Sequence, residues 1–274
     1  MKIREIKAKS ILQKSGIPGA DWVINPYTGC SHACVYCYAA FMKKWTGHMN
    51  ENWGNFVDVK INAPELLKKE IKKVKKSDEI FLSSVCDPYQ EAEKKYKLTR
   101  KLLEIIAEYA KSNQISVSIL TKSDLVVRDL DILKTIRNID VGFSMGIADR
   151  KYQKILEPGA TSFTKRAKAM KKLHDAGIKT YLFISPIIPG ISNPKKSVEL
   201  TKNSFDYFMA EAINTRSINY RRLLDEVKKH FPKKFIHFDE VARSADYWRG
   251  VETELKANAL KYKLDFRGLF RHGI

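Results

Sequence analysis

From Val57 to Ala212 the chain alternates short runs rich in β-branched residues with stretches whose apolar residues recur every three or four positions. Strands are expected at Val57–Ile61, Ile80–Val85, Ile115–Leu120, Val141–Met145, Thr180–Ser185 and Phe205–Ala212, because such short runs pack well on a pleated surface. Helices fall between them. One is opened by Pro64, where a first turn tolerates proline. Another carries Leu98, Leu102, Ile105, Ile106 and Tyr109 on one face, and a short one starts at Asp129. A fourth has the stripe Ala167, Met170, Leu173 and stops at Gly177, and a short one follows Pro194. Strands joined through helices make right-handed crossovers and hence a parallel sheet. Six such units predict an α/β fold, a partial (β/α)6 TIM-type barrel rather than a closed eightfold one. The core is expected over residues 1–215, with an extended basic lead-in over 1–20 and a strand at Trp22–Ile24. Residues 216–274 read as a C-terminal extension with one helix (Leu223, Leu224, Val227) and a basic, aromatic tail.

On parallel barrels the working residues sit at the C-terminal ends of strands. Here those ends carry Ser83, Ser84 and Asp87, then Thr121, Lys122 and Ser123, then Ser144 and Gly146, then Ser185 and Pro186. One strand-end serine usually caps a turn or helix. Four strands ending this way point to a rim that binds something. Asn25–Ala39 leads into that rim and holds Cys30, Cys34 and Cys37 at spacing C-x3-C-x2-C. A structural zinc would need a fourth ligand nearby, and a four-cysteine cluster a fourth thiolate. The remaining cysteine, Cys86, is far along the chain. Three thiolates on a four-iron cluster leave one iron open to a substrate or cosubstrate; a zinc-knuckle or redox-sensing role is the competing reading. His32 reads as a surface loop residue, with metal ligation as the alternative. Tyr36 and Tyr38 read as packing residues, and Phe41–Asn55, with Trp45 and Trp53, as an irregular cover over the thiols.

Hydrophobic residues make up 44% of the 274-residue chain and charged residues 30%, as in soluble globular proteins. No apolar run is long enough to span a bilayer, and no basic-then-apolar leader is present, so no membrane partner is expected. Cysteines clustered for metal rather than spread as a disulfide framework suit a reducing compartment, which places the protein in the cytoplasm. The formal net charge is +19. Such a surplus favours polyanions through counterion release, although lysine-rich surfaces also mark adaptation to heat. The lysines from Lys68 to Lys76 surround Leu67, Ile71 and Val74 and read as a solvated helix face. In the tail, Tyr247, Trp248, Tyr262, Phe266 and Phe270 interleave with Arg249, Lys256, Lys261, Lys263, Arg267 and Arg271. That pattern suits base stacking with phosphate tracking, or else packing over the open side of the barrel.

The phrases Asn-Pro-Tyr-x-Gly-Cys-x-His-x-Cys-x-Tyr-Cys-Tyr-Ala (25–39), Asp-Pro-Tyr-Gln (87–90), Leu-Thr-Arg (98–100), Thr-Lys-Ser (121–123), Arg-Asp (128–129), Glu-Pro-Gly-Ala (157–160) and Pro-Ile-Ile-Pro-Gly (186–190) occur in this order. The pattern resembles the radical S-adenosylmethionine (radical SAM) superfamily and, within it, the spore photoproduct lyase-like branch of DNA repair photolyase-like proteins. That resemblance implies a [4Fe-4S] cluster on Cys30, Cys34 and Cys37 and S-adenosylmethionine chelated at its open iron. Reductive cleavage would yield methionine and a 5'-deoxyadenosyl radical that abstracts hydrogen, with the electron coming from an external donor of ferredoxin or flavodoxin type. It further implies Ser84, Lys122, Ser144 and Arg166 around the cosubstrate, Arg166 by pairing with the methionine carboxylate; a surface helix arginine is the alternative. Catalytic candidates are Cys86 and Tyr89, with either Cys86 or Ser84 in the hydrogen-donor place. Glu91 stands where most such proteins have proline. The implied substrate is a nucleic-acid base, to be repaired or modified. Alternatives are a peptide or small metabolite, or a non-catalytic protein that the metal only staples.

Overall fold

In the computed structural model, which describes residues 1–272, the barrel begins at a strand only three residues long. β1 (Lys2–Ile6), β2 (Leu12–Lys14), β3 (Trp22–Ile24), β4 (Tyr27–Thr28) and β5 (Phe56–Lys60) come first. They are followed by β6 (Glu79–Leu82), β7 (Ser116–Thr121), β8 (Ile139–Ser144), β9 (Lys179–Ile187), β10 (Tyr207–Ala212) and β11 (Asp265–Phe270). The large sheet has the order β11-β10-β9-β8-β7-β6-β3-β2, every neighbouring pair parallel except β2 with β3. Helices Leu98–Ala110, Phe163–Asp175 and Pro194–Thr201 lie in the crossovers, as the apolar stripes require. The open parallel sheet wrapped by helices is the partial barrel expected from the alternation.

Its membership differs at one end. The run Val57–Ile61 does not join the barrel: β5 lies between β1 and β4 in a separate three-stranded sheet. Its Val57 and Val59 pack with Tyr27, Ala92 and Leu98, and Asp58 takes two hydrogen bonds from Arg4 of β1, 2.9 and 2.8 Å. β3 takes the first barrel position instead, pairing with β6 through Val23↔Phe81. The lead-in is extended but not free, since β1 pairs with β5 and β2 with β3. No helix among the described residues is long and apolar enough to cross a membrane.

Register sorts the side chains into two layers. Ile80, Leu82, Val117, Ile119, Val141, Leu182, Ile184 and Phe208 form the helix-facing core, almost wholly buried. The concave layer is polar towards the strand ends and closed at the other end. Gly142, Tyr181 and Tyr207 share one level, and the two tyrosine rings stack 5.1 Å apart at 13°. Tyr207 donates to Asp140 at 2.6 Å, and the Arg267 guanidinium of β11 lies 3.5 Å from its ring centroid. Two core tyrosines, with Arg267 of β11 over one of them, thus plug the barrel floor. Tyr181 fits only because position 142 is glycine: an added Cβ would come within 2.0 Å of the ring. Gly142→Ala is expected to cost about 1–3 kcal/mol by overpacking. Gly250→Ala, where nothing lies within 4 Å, should be neutral or stabilising by about 0.5–1 kcal/mol in its helix. Paired thermal melts check both.

Candidate active site

The loop from Gly29 to Cys37 carries Cys30 and Cys34, both buried, and Cys37, half-buried. Its backbone is held mainly from outside. Gln90 donates Nε2 to the Gly29 carbonyl (3.1 Å) and accepts the Ser31 amide on Oε1 (2.8 Å). On the other side the Gly159 amide donates to the His32 carbonyl (3.0 Å) and the Val35 amide to the Leu156 carbonyl (2.9 Å). Position 159 must lack a side chain, because a Cβ would sit 2.1 Å from the Ser31 carbonyl oxygen.

Two buried acids flank the loop. Asp87 accepts from Thr121 Oγ1 (2.7 Å), the Lys122 amide (2.7 Å) and the Tyr89 amide (2.9 Å), and lies 3.3 Å from His32 Nδ1. Burial alone would raise its pKa; His32 and the donors outweigh it and hold the carboxyl down to about 2. His32 is therefore a buried partner of Asp87 and not a surface residue, because the loop turns it inward. Glu157 accepts from the Tyr36 hydroxyl and pairs with Arg166 at 2.6 Å. Behind the Asp-Pro-Tyr-Gln turn, Glu93 accepts from the Tyr27 hydroxyl, the Thr99 amide (3.0 Å) and Arg128 (2.7 Å). Residues of several of the quoted phrases thus meet as one polar scaffold around the thiols. Sequence reasoning marked the phrases but assigned no role to Gln90, Glu93 or Glu157.

The candidates for cosubstrate binding separate on inspection. Lys122 follows β7 at the rim, its Nζ 5.8 Å from the centre of the Tyr36 ring. Burial disfavours its charge, but Cys34 and Glu157 outweigh that and raise its pKa. Ser144 ends β8 on the concave face and donates to the Ser185 carbonyl at 2.9 Å. Arg166 is fully buried, with one Nη on Glu157 and the other on the Ser144 carbonyl. It is no surface arginine, and its fork is spent within the protein. Ser84 accepts from Asn25 Nδ2 (3.1 Å) on its hydroxyl and from the Tyr38 hydroxyl on its carbonyl. Cys86 Sγ lies 3.4 Å from Ser83 Oγ and packs against the apolar cluster of Cys30, Trp53 and Phe56; burial pushes its thiol up to about 11. Tyr89 is buried in the wall of a cavity of about 300 Å³ that His32, Arg128 and Thr161 also line.

Most of the tail's aromatic faces are covered, Phe270 being exposed. Trp248 is fully buried, Phe266 stacks on Phe208, and Tyr262 packs on the core. Arg249, Arg267 and Arg271 pair with Asp246, Asp265 and Glu252. The aromatic spacing serves a helix and an edge strand closing on the barrel.

Among the described residues no three His, Cys, Asp or Glu side chains converge on a point that would hold a single metal ion. A [4Fe-4S] cube spreads its ligands over separate irons and makes no such demand. The surroundings fit one: the Trp53 indole N–H is buried, has no hydrogen-bond acceptor, and lies beside the Cys37 sulfur. Glu157→Gln should leave Arg166 and Lys122 facing each other without their shared anion. The expected loss is about 3–5 kcal/mol in a urea melt, with lowered iron retention.

The family model described as the radical SAM superfamily matches residues 24–200. A Methanocaldococcus jannaschii protein is 40% identical over 235 residues, 86% of each chain. A radical SAM Nalpha-GlyT isomerase of Pseudomonas phage M6 is 26% identical over 169 residues, 61% of this chain and 33% of its own. Spore photoproduct lyase, solved with a dinucleoside spore photoproduct, superposes with a TM-score of 0.70 at 16% identity, covering 99% of this chain and 82% of its own. At that identity the likeness is one of fold. The chain belongs to the radical SAM superfamily, whose members use a [4Fe-4S] cluster and S-adenosylmethionine.

Proposed function

We propose that this chain reductively cleaves S-adenosylmethionine at a [4Fe-4S] cluster held by Cys30, Cys34 and Cys37, and that the 5'-deoxyadenosyl radical so released takes hydrogen from a nucleic-acid base. The observation that carries the reading is three thiols on one clamped loop, with Lys122 and Ser144 on the rim beside them. Burial pushes the Cys34 thiol up to about 12 and the other two upward. Loading therefore releases protons, and Lys122 beside Cys34 favours the thiolate. Lys122 forms no ion pair among the described residues, so its ammonium is available to a carboxylate of the cosubstrate. Ser144 orients that ligand, while Arg166 and Glu157 hold the rim. In this reading Cys86 and Tyr89 serve the reaction from beside the loop, residues 1–215 form the catalytic core, and 216–274 close its floor and edge. Support for the substrate comes from the +19 charge. It also comes from the fold shared with a lyase solved with a dinucleoside spore photoproduct.

Anaerobic reconstitution should give about four irons and four sulfides per chain, and Cys34→Ala should lose them; unchanged content would sink the assignment. Lys122→Ala should keep the cluster and weaken S-adenosylmethionine binding about tenfold or more, the worth of one charge-assisted contact. Oligonucleotides should raise 5'-deoxyadenosine formation by the reduced protein. If peptides raise it and oligonucleotides do not, the substrate is the alternative one.

A further inference from the structure

Immediately after Cys37 the chain forms a short helical segment, Tyr38–Trp45, with Ala39 and Ala40 turned inward. Tyr38, Phe41 and Trp45 follow one another along it: Tyr38 and Phe41 eclipse at the 3-10 repeat of three, and Trp45 lies about a third of a turn away. Tyr38 and Phe41 stack with centroids 6.4 Å apart at 26°. Trp45 is 78% exposed, whereas Trp22, Trp53 and Trp248 are at 8%, 3% and 0%. A tryptophan left in water is costly, and three aromatics in a row form a patch that marks interaction. The row starts at the site: the Tyr38 hydroxyl bonds the Ser84 carbonyl at the strand ends.

The charge around the row is predominantly positive, although Glu211 acts on Tyr38 and Asp225 and Glu226 interrupt the neighbouring basic segment. No acidic residue occurs from Tyr38 to Asn50, while Lys43 and Lys44 lie within the segment. The neighbouring segment that docks here, through Asn219 on the Cys37 carbonyl (3.1 Å) and Arg222 on the Trp53 carbonyl (3.4 Å), continues into Lys228, Lys229, Lys233 and Lys234. Flat π faces beside unpaired cations match a ligand that alternates planar bases with phosphates.

We propose that Tyr38, Phe41 and Trp45 form a stacking ramp that seats single-stranded nucleic acid, with Lys43 and Lys44 on its phosphates, and leads the strand across the barrel mouth. The proposal rests on the nucleic-acid reading above and places its binding surface at the mouth, away from the aromatic tail. Base stacking on such faces is sequence-tolerant, so affinity should vary little with base composition.

Tryptophan fluorescence of the cluster-loaded protein tests it, because Trp45 is the exposed emitter among the described residues. Single-stranded oligonucleotides should quench that emission, and polyglutamate of equal charge should not. Trp45→Ala should weaken oligonucleotide binding about tenfold with an unchanged melting temperature, whereas Trp45→Phe should bind almost as the parent does. Replacing Lys43 and Lys44 with Gln should flatten the log–log salt slope by about 1.4, two phosphate contacts on a single strand. Equal binding by Trp45→Ala would overturn the ramp and leave the nucleic-acid reading standing. Absence of any oligonucleotide binding at low salt would remove both. Quenching by polyglutamate or by anionic lipid vesicles as strong as that by oligonucleotides would also overturn it. So would slower cluster reduction by reduced flavodoxin in Trp45→Ala with oligonucleotide binding intact, since the face would then belong to the electron donor.

Discussion

Nine residues from Gly29 to Cys37 must gather three thiols with only two turn hydrogen bonds of their own, from Ala33 to Cys30 and from Cys37 to Cys34. Buried amides and carbonyls need partners, and an irregular loop cannot supply them. Other segments do: Gln90 on one side, Leu156 and Gly159 on the other. The loop is therefore only as well placed as the ends of β6 and β8, from which those two arms hang. This is the physical sense of phrases scattered over more than a hundred residues. Several of them are arms or pin an arm, as Glu93 does by joining Tyr27, Thr99 and Arg128.

Charge burial at the site follows from the same constraint. Asp87, Glu157, Lys122 and Arg166 all lie beneath the surface around the thiols, where ion pairs seldom stabilise a fold better than apolar residues would. Three of the four have ion-pair partners: Asp87 has three donors and His32, and Glu157 and Arg166 pair with each other, although Arg166 Nε is buried without an acceptor. Lys122 is different, held near Cys34 and Glu157 without an ion pair of its own among the described residues. A cation kept charged by its surroundings, and not consumed by them, is what an anionic ligand needs. Arg166 has the better hydrogen-bonding fork, but both its Nη groups are already on Glu157 and the Ser144 carbonyl.

Local pattern carried most of the fold. Five of the six expected barrel strands took their places, and the helix stripes landed on the sheet. The exception has a physical cause. Val57–Ile61 alternates apolar and charged residues as a half-buried strand does, and a periodicity argument cannot tell which sheet such a run will join. That choice is made by Arg4 and His48 meeting Asp58, contacts 54 and 10 residues away in sequence. The three thiols were legible because their spacing is local. His32, Glu157 and Gln90 were not, since their roles exist only once two distant strand ends meet. In the tail, of the two readings of the interleaved aromatics, packing over the barrel fits Trp248, Tyr262 and Phe266, which meet the core from a helix and an edge strand.

The turn after β6 draws the remaining distinction. Ser83 adopts a left-handed conformation, φ 69°, costly for a residue with a side chain. Asn25 holds that turn by donating to Ser84 Oγ and accepting the Val85 amide at 3.0 Å, while the Ser83 amide donates to the Ile24 carbonyl. The consequence is that Ser84 stays with Tyr38 at the rim, and Cys86 turns towards Cys30 and the side sheet. The two candidates for one role are thereby separated by chemistry as well as by place. A serine hydroxyl can orient a ligand by hydrogen bonding, but its O–H bond is too strong to return hydrogen to a carbon radical. A thiol has the weaker bond, and burial keeps this one protonated near neutrality. Of the two, Cys86 has the chemistry that the proposed hydrogen return would need, and it lies behind the turn that holds Ser84 at the rim.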